Sequence, residues 1–386
     1  MLLPLSMNIT SRLPDIGTSI FTVMSKMALE HGAINLSQGF PDFPIDPKLI
    51  DLVSKAMRDG HNQYAPMPGL PALKQKISEL IKVSFGADVN PDTEIVITAG
   101  ATEAIYSTMT ALIAAGDEVI VFDPSYDSYD PAIRLNGGVP IHINLTPPDF
   151  FIPWDIVRTK ISKRTKAILV NSPHNPTGSV LSDVDMKQLA AIANEFDLLV
   201  FSDEVYERII FDGNTHCSAL KYPELKERSV AFFSFGKTFH ATGWKIGYTV
   251  AAPAITTEIR KAHQFVTFAV NTPMQVALSE YLAVHSNIFS LGKFFQAKRD
   301  FFLDQIKGCS FRPLPCNGSY FQLLSFEGGS NESDVQLAER LTKELKIASI
   351  PVSVFYKDKT DNKLLRFCFA KKEETLQRAA EILRTL

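Results

Sequence analysis

The amine of Lys237 comes first among residues able to do chemistry. It stands in Gly236-Lys237-Thr238, directly after the apolar run Val230–Phe235 (VAFFSF). An amine is a nucleophile only when partly neutral, so desolvation or nearby cations must lower its pKa, and a lysine fed in by an apolar strand meets that need. Other apolar runs end in equally reactive groups. Asp203-Glu204-Val205-Tyr206 offers a carboxylate and a phenol, Ser172–Gly178 (SPHNPTG) offers the amide of Asn175, and Asp123-Pro124-Ser125-Tyr126 offers an aromatic ring. Ala99-Gly100-Ala101-Thr102-Glu103 opens a helix, whose orphan N–H groups and dipole favour an anion. Together these groups suit one planar, phosphorylated, nitrogen-containing ligand. A nucleotide phosphate loop does not account for Gly236-Lys237-Thr238, because its first glycine would fall on Ala231.

The elements that must hold these groups read as short apolar strands alternating with helices. Glu94–Thr98, Glu118–Phe122, Lys166–Asn171, Leu198–Ser202, Val230–Phe235 and Tyr248–Ala252 read as strands, and Ala101–Ala115 as a helix closed by Gly116-Asp117. This alternation predicts an α/β fold with a mostly parallel sheet flanked by helices. Continuous apolarity places the strands under cover on both faces. In such sheets ligands bind beyond the carboxyl ends of the strands, where the reactive groups cluster.

After Pro253 the pattern changes to one long helical stretch through Ala262, Gln275 and Tyr281, then a helix near Lys293–Ile306. Strands at Ser319–Leu324 and Leu364–Phe369 follow, with helices at Asp334–Leu345 and Glu373–Leu386. This reads as a smaller α+β domain. The expected division is 1–45 as an N-terminal arm joining the small domain, 46–290 as the large domain and 291–386 as the small C-terminal domain. The segment before Pro44 reads as loop-rich.

The chain has 386 residues, 45% apolar and 21% charged, with a net charge of −3. That length supports two domains, and near-neutrality argues against a nucleic-acid binder. The four cysteines, Cys217, Cys309, Cys316 and Cys368, form no CxxC pair, so neither a disulfide framework nor a structural zinc site is expected. Met1 to Met7 is apolar but lacks the basic and long apolar regions of a secretory signal. No uncharged apolar run is long enough to cross a bilayer. A cytoplasmic location is expected.

The chain resembles fold-type I pyridoxal-phosphate aminotransferases of the class I/II group. Within that group it is similar to bacterial methionine aminotransferases and to the kynurenine/glutamine aminotransferase branch. The resemblance rests on NLSQGFPDF (35–43), NQYAPMPG (62–69), TAGATEAIY (98–106), FDPSYDSY (122–129), NSPHNPTG (171–178), SDEVYE (202–207), SFGKTFHATGWKIGY (234–248) and LLRFCFAK (364–371), in family order along nearly the whole chain.

The resemblance implies a role for each position. Lys237 would carry pyridoxal 5'-phosphate covalently and, once freed, move the substrate proton as general base and acid. Asp203 would partner the pyridinium nitrogen, keeping the ring an electron sink; its competing role is a helix N-cap. Tyr206 and Asn175 would hydrogen-bond the cofactor's phenolic oxygen. Gly100, Ala101, Thr102, Ser234 and Lys245 would hold the phosphate. Lys245 departs from the commoner arginine, a point charge replacing a fork. Tyr126 would stack on the ring, while Trp244 reads as core. Tyr64 would reach the phosphate of the neighbouring subunit, which needs a homodimer. Arg366, an arginine in an apolar strand, needs a carboxylate partner, which the resemblance supplies as the substrate's α-carboxylate; the competing reading is a buried ion pair. Gly39 would let the N-terminal backbone approach the same substrate. His174 reads as a turn residue, and His240 lacks a base's partners.

The implied reaction is ping-pong transamination between small amino acids and 2-oxo acids. Phe21, Phe40 and Phe268 fall in segments the family uses to line the side-chain pocket, and no second arginine of the dicarboxylate kind is evident. Methionine, aromatic or other large apolar donors are therefore expected. The alternative is a kynurenine/glutamine-type enzyme that also eliminates from cysteine S-conjugates. Two further classes are disfavoured. A regulator built on this scaffold would place a winged helix-turn-helix before Asn35, and a nicotinamide dehydrogenase would carry GxGxxG after a strand.

Overall fold

The structure, a computed structural model, describes residues 9–284 and 287–386; Met1 to Met7 lie outside the described residues. Thirteen strands are found among the described residues: β1 Ile34–Asn35, β2 Ile95–Thr98, β3 Glu118–Asp123, β4 Val139–Asn144, β5 Thr165–Asn171, β6 Leu199–Asp203, β7 Ser229–Ser234, β8 Gly247–Ala251, β9 Arg312–Pro313, β10 Phe321–Ser325, β11 Ile347–Ala348, β12 Ile350–Pro351 and β13 Leu364–Cys368. Seven form one sheet in the order β2-β8-β7-β6-β5-β3-β4. Its β4, β3, β5, β6 and β7 run parallel, and β8 is antiparallel to both β7 and β2. Because β2 and β7 both oppose β8, they run the same way. The carboxyl end of β2, where the helix Gly100–Leu112 starts, therefore falls on the same rim as the ends of β3, β5, β6 and β7.

Alternate strand residues build separate cores on the two faces, as the two-residue side-chain period requires. Val119, Val121, Ala167, Leu169, Phe201, Val230 and Phe232 face one. Ile120, Ile168, Val170 and Val200 pack into a second core, and Ala231 and Phe233 into a third, with Ile95, Ile97 and Val250. A four-stranded antiparallel sheet, β12-β13-β10-β9, lies apart from the large one. It shares its core with the helices Leu291–Gln305, Asp334–Lys343 and Glu373–Leu383 and with Met24 and Leu36 of the N-terminal segment.

Several sequence expectations shift. The segment before Pro44 holds a helix, Ile20–His31, capped by the Ser19 side chain and ended by left-handed Gly32. The helical stretch after Pro253 divides into Pro253–Val266 and Thr272–Val284, with Phe268 between them at φ +68°. A left-handed residue cannot continue a right-handed helix. The edge strand β4 has the sequence VPIHIN, half-exposed and containing Pro140, so it lacks the continuous apolarity that marks its neighbours. Strand β7 stops at Ser234, and Phe235 opens the short helical turn Phe235–Thr238 that carries Lys237.

Candidate active site

A cavity of ≈ 230 Å³ lies on the rim where the strand ends converge. Four of the five parallel strands, all but the edge strand β4, send residues at or just beyond their carboxyl ends into it. Beyond β3 come Tyr126 and Tyr129, β5 ends at Asn171 with Asn175 beyond, β6 ends at Asp203 with Tyr206 beyond, and β7 ends at Ser234, followed by Gly236 and Lys237. The first helical residues Gly100, Ala101 and Thr102 close one side. Their amides belong to a first turn, whose N–H groups have no partners within the helix. Gly100 has φ +79°, and a Cβ there would come within 3.3 Å of both Cε and Nζ of Lys245, so the absence of a side chain lets that amine approach the helix start.

Lys237 Nζ donates to Tyr320 Oη at 2.9 Å and to the Gly39 carbonyl at 3.3 Å. Burial holds this amine down at about 8, with Arg366 and Lys245 pushing the same way and Asp203 opposing. The Asp203 carboxyl is itself raised to about 6 by burial. The Tyr129 hydroxyl, donating to Oδ2 at 2.5 Å, and the Val205 amide, donating to Oδ1 at 3.3 Å, both favour the charged form. Burial likewise raises the Tyr206 phenol, so it stays protonated.

Arg366 lies on β13 opposite Leu323 of β10 and Ile350 of β12, and is only 1% exposed. Its Nη1 donates to Asn175 Oδ1 at 2.6 Å and its Nη2 to the Ser37 carbonyl at 3.0 Å, while the buried Nε has no partner. Its guanidinium carbon stands 3.9 Å over the Phe321 ring and 5.2 Å from the Phe21 ring. Burial pulls it down to about 10. No carboxylate pairs with it among the described residues, so the buried-ion-pair reading lacks a partner. An unpaired buried donor is costly, and the arrangement suits a carboxylate arriving in the cavity.

Thirteen expected positions thus line one cavity: Phe21, Gly39, Arg366 and the ten rim residues from Gly100 to Lys245. Phe268 and Tyr64 lie elsewhere in the chain. They pack edge to face at 5.2 Å on the outside, 49% and 81% exposed. Phe40 is also off the lining, its ring 4.8 Å from Lys371 Nζ. His174 is buried on Thr177 and pushed down to about 4, and Trp244 packs against the core.

Sequence reading missed Tyr129, Asn171 and Tyr320. Asn171 Oδ1 accepts the Asn175 amide at 2.8 Å, and its Nδ2 donates to the Asp203 carbonyl at 2.8 Å, fixing two functional loops. Tyr129 and Asn171 sat inside the quoted segments at strand ends. Nothing local marked Tyr320, which meets Lys237 only through the packing of β10 beside the N-terminal segment.

The family model for aminotransferase class I and II matches residues 31–383. The methionine aminotransferase of Escherichia coli K12 is 47% identical over 97% of this chain and 98% of its own length. Kynurenine–oxoglutarate transaminase 3 of Mus musculus is 32% identical over 97% of this chain and 89% of its own. An Escherichia coli crystal structure, reported with a methionine aminotransferase function, superposes with a TM-score of 0.96 at 46% identity, covering 98% of this chain and 99% of the other.

Proposed function

The chain belongs to the class I and II aminotransferase family, and on that premise we propose that it transfers the amino group of methionine, and of aromatic or other large apolar amino acids, to a 2-oxo acid. Enzymes of this family and fold use pyridoxal phosphate. The residues present fit that group: a desolvated amine, a buried carboxylate, a helix start with Lys245 beside it, and a buried arginine with an unused donor face one cavity. When bound, the cofactor supplies an aldehyde for amines to join and a ring that accepts the electron pair left at the substrate's Cα.

The chain's own residues would do the rest. Gly100, Ala101, Thr102, Ser234 and Lys245 would hold the phosphate, and Tyr126 would cover the ring face. Asp203, kept ionised by Tyr129, would face the ring nitrogen. Charges about 4 Å apart interact by roughly 4 kcal/mol at an effective dielectric of 20. Asn175 and Tyr206 would flank the phenolic oxygen. Arg366 would grip the α-carboxylate, and Phe21 would meet the apolar side chain near Gly39. Lys237 Nζ would take the proton from the substrate's Cα and deliver it across the amino nitrogen, on the cofactor side. Tyr64 and Phe268 would serve the neighbouring site of a homodimer. Residues 46–290 would form the large, cofactor-holding unit, 291–386 the small one and 1–45 its arm, in a cytoplasmic enzyme.

The observation that carries this reading is the depressed Lys237 amine sharing a cavity with Asp203 and Arg366. The purified protein should show a visible cofactor band that converts on adding methionine. Lack of the band, or a strong preference for aspartate, would refute the reading. The second reading is a kynurenine/glutamine-type transaminase, which the kynurenine–oxoglutarate relative supports; any accompanying elimination from cysteine S-conjugates would be revealed by release of pyruvate and thiol.

A further inference from the structure

We propose that Tyr320 is a positioning residue that holds the Lys237 amine whenever that amine is not joined to the cofactor. This rests on the reading above, in which Lys237 must leave the cofactor and then move a proton.

Three segments meet at one phenol. Lys237 Nζ donates to Tyr320 Oη at 2.9 Å, and Oη donates to the Gly39 carbonyl at 2.6 Å. A phenol has a single hydrogen. With that hydrogen on Gly39, the oxygen can only accept from the lysine. One N–H of the amine is thereby fixed, and the lone pair of the neutral form points elsewhere. Free of such an acceptor, a four-carbon stem would spread over many rotamers. Tyr320 itself is fully buried, with its ring edge-on to Tyr206 at 5.1 Å and to Phe321 at 4.9 Å. Nζ lies 5.5 Å from the centroids of both the Tyr206 and Tyr320 rings, so the two aromatics flank it.

The third segment explains Gly39. A Cβ there would fall 2.7 Å from Phe321 Cζ, inside a packed core. Only a glycine brings this carbonyl to the phenol, and Gln38 and Gly39 also line the cavity. The phenol thus ties the lysine to the backbone that faces the substrate. Gly39 alone would satisfy the buried hydroxyl, so a purely structural tyrosine would not need the lysine. The charged and titratable neighbours of the amine are Arg366 and Lys245, which favour its neutral form, Cys368 and Asp203, which favour the charged form, and the phenols of Tyr206 and Tyr320, both raised by burial.

The test is Tyr320→Phe in the full chain, which keeps the ring and removes the nearer of the amine's two acceptors, leaving the Gly39 carbonyl at 3.3 Å. In protein stripped of cofactor, Lys237 is titrated by the pH dependence of its acylation with limiting acetic anhydride, read on the Lys237 peptide by mass spectrometry. A charged donor loses more than a neutral one when its acceptor goes, so the midpoint should fall by about half a unit to one unit below wild type. In the loaded enzyme, kcat with methionine should fall about three- to tenfold, with KM changed less than about twofold. An unchanged midpoint with unchanged kcat overturns the proposal. A lowered melting temperature with an unchanged midpoint also overturns it, because that is the signature of a structural residue. If the phenylalanine variant does not fold, 3-fluorotyrosine placed at 320 in otherwise native protein replaces it. Its fluorine resonance should move in Lys237→Ala, and an unmoved resonance overturns the proposal. Reductive tagging on Lys237 with an inert Tyr320→Phe sinks this proposal alone, whereas tagging elsewhere sinks the functional reading.

Discussion

Arg366→Lys separates a substrate grip from simple charge. The arginine fork points its Nη groups at Asn175 and Ser37, lies on the Phe321 ring at 3.9 Å and leaves a buried Nε unpaired. A lysine keeps the positive charge but offers a compact ammonium with no fork. Hydrogen bonds to charged groups are worth about 1.5–3 kcal/mol each. Losing one of a bidentate pair, and leaving the Asn175 oxygen without its donor, should cost about 2–4 kcal/mol. At 1.36 kcal/mol per tenfold, that is roughly a 30- to 1,000-fold loss in kcat/KM. The assay follows the first half-reaction by absorbance, with methionine and with 3-(methylthio)propylamine, the same side chain without the carboxylate. The methionine rate should collapse in the variant and the slow amine rate should stay within about threefold, with circular dichroism confirming the fold. A methionine rate within about threefold of wild type, or equal losses for both compounds, would show that Arg366 does not bind the carboxylate.

Lys237→Ala should lower turnover by more than about a thousandfold, since positioned proton transfer alone contributes roughly 10²–10⁴ and the covalent anchor is lost too; normal turnover by steady-state kinetics would remove Lys237 as the base. Gly39→Ala should push Phe321 or the Gly39 carbonyl aside, given a Cβ 2.7 Å from Phe321 Cζ. Unfolding free energy should fall by about 1–3 kcal/mol and KM for methionine should rise; wild-type values for both would contradict the packing argument. His142 lies between Asp123 and Asp130, at 2.9 and 3.1 Å. Burial alone would lower it, but the two carboxylates outweigh that and raise it from 6.5 to about 9. A raised folded-state pKa adds stability that is full below about pH 6.5 and lost as pH climbs to about 9, here roughly 2–3 kcal/mol. His142→Gln should flatten that alkaline loss in urea melts at pH 6 and pH 9.5, and parallel pH dependence of the two proteins would refute it.

The site was legible because its groups follow apolar strands. Asp203, Asn175 and Lys237 each sit just past a run buried on both faces, so reading strand ends located them without any contact information. The sheet's central strands were legible for the same reason. Half-exposed β4, with Pro140 in it, carried no such signal, and the helix Ile20–His31 was masked by the prolines and glycines around it. Tyr129 and Tyr320 escaped for a different reason. Their roles are hydrogen bonds spanning 74 and 83 residues of sequence, to Asp203 and Lys237. Such pairings arise only when sheet order and the packing of β10 are known. Tyr64 and Phe268 stand together outside the cavity of their own chain, an arrangement that spacing alone does not reveal.

The account stands on the Lys237 amine holding the cofactor at the rim of the sheet. Native, fully loaded enzyme is reduced with borohydride, digested, and the tagged peptide sequenced by mass spectrometry. The tag should fall on Lys237 within the segment 234–248 in nearly all copies. A tag on any other lysine, or none in loaded protein, would contradict the account.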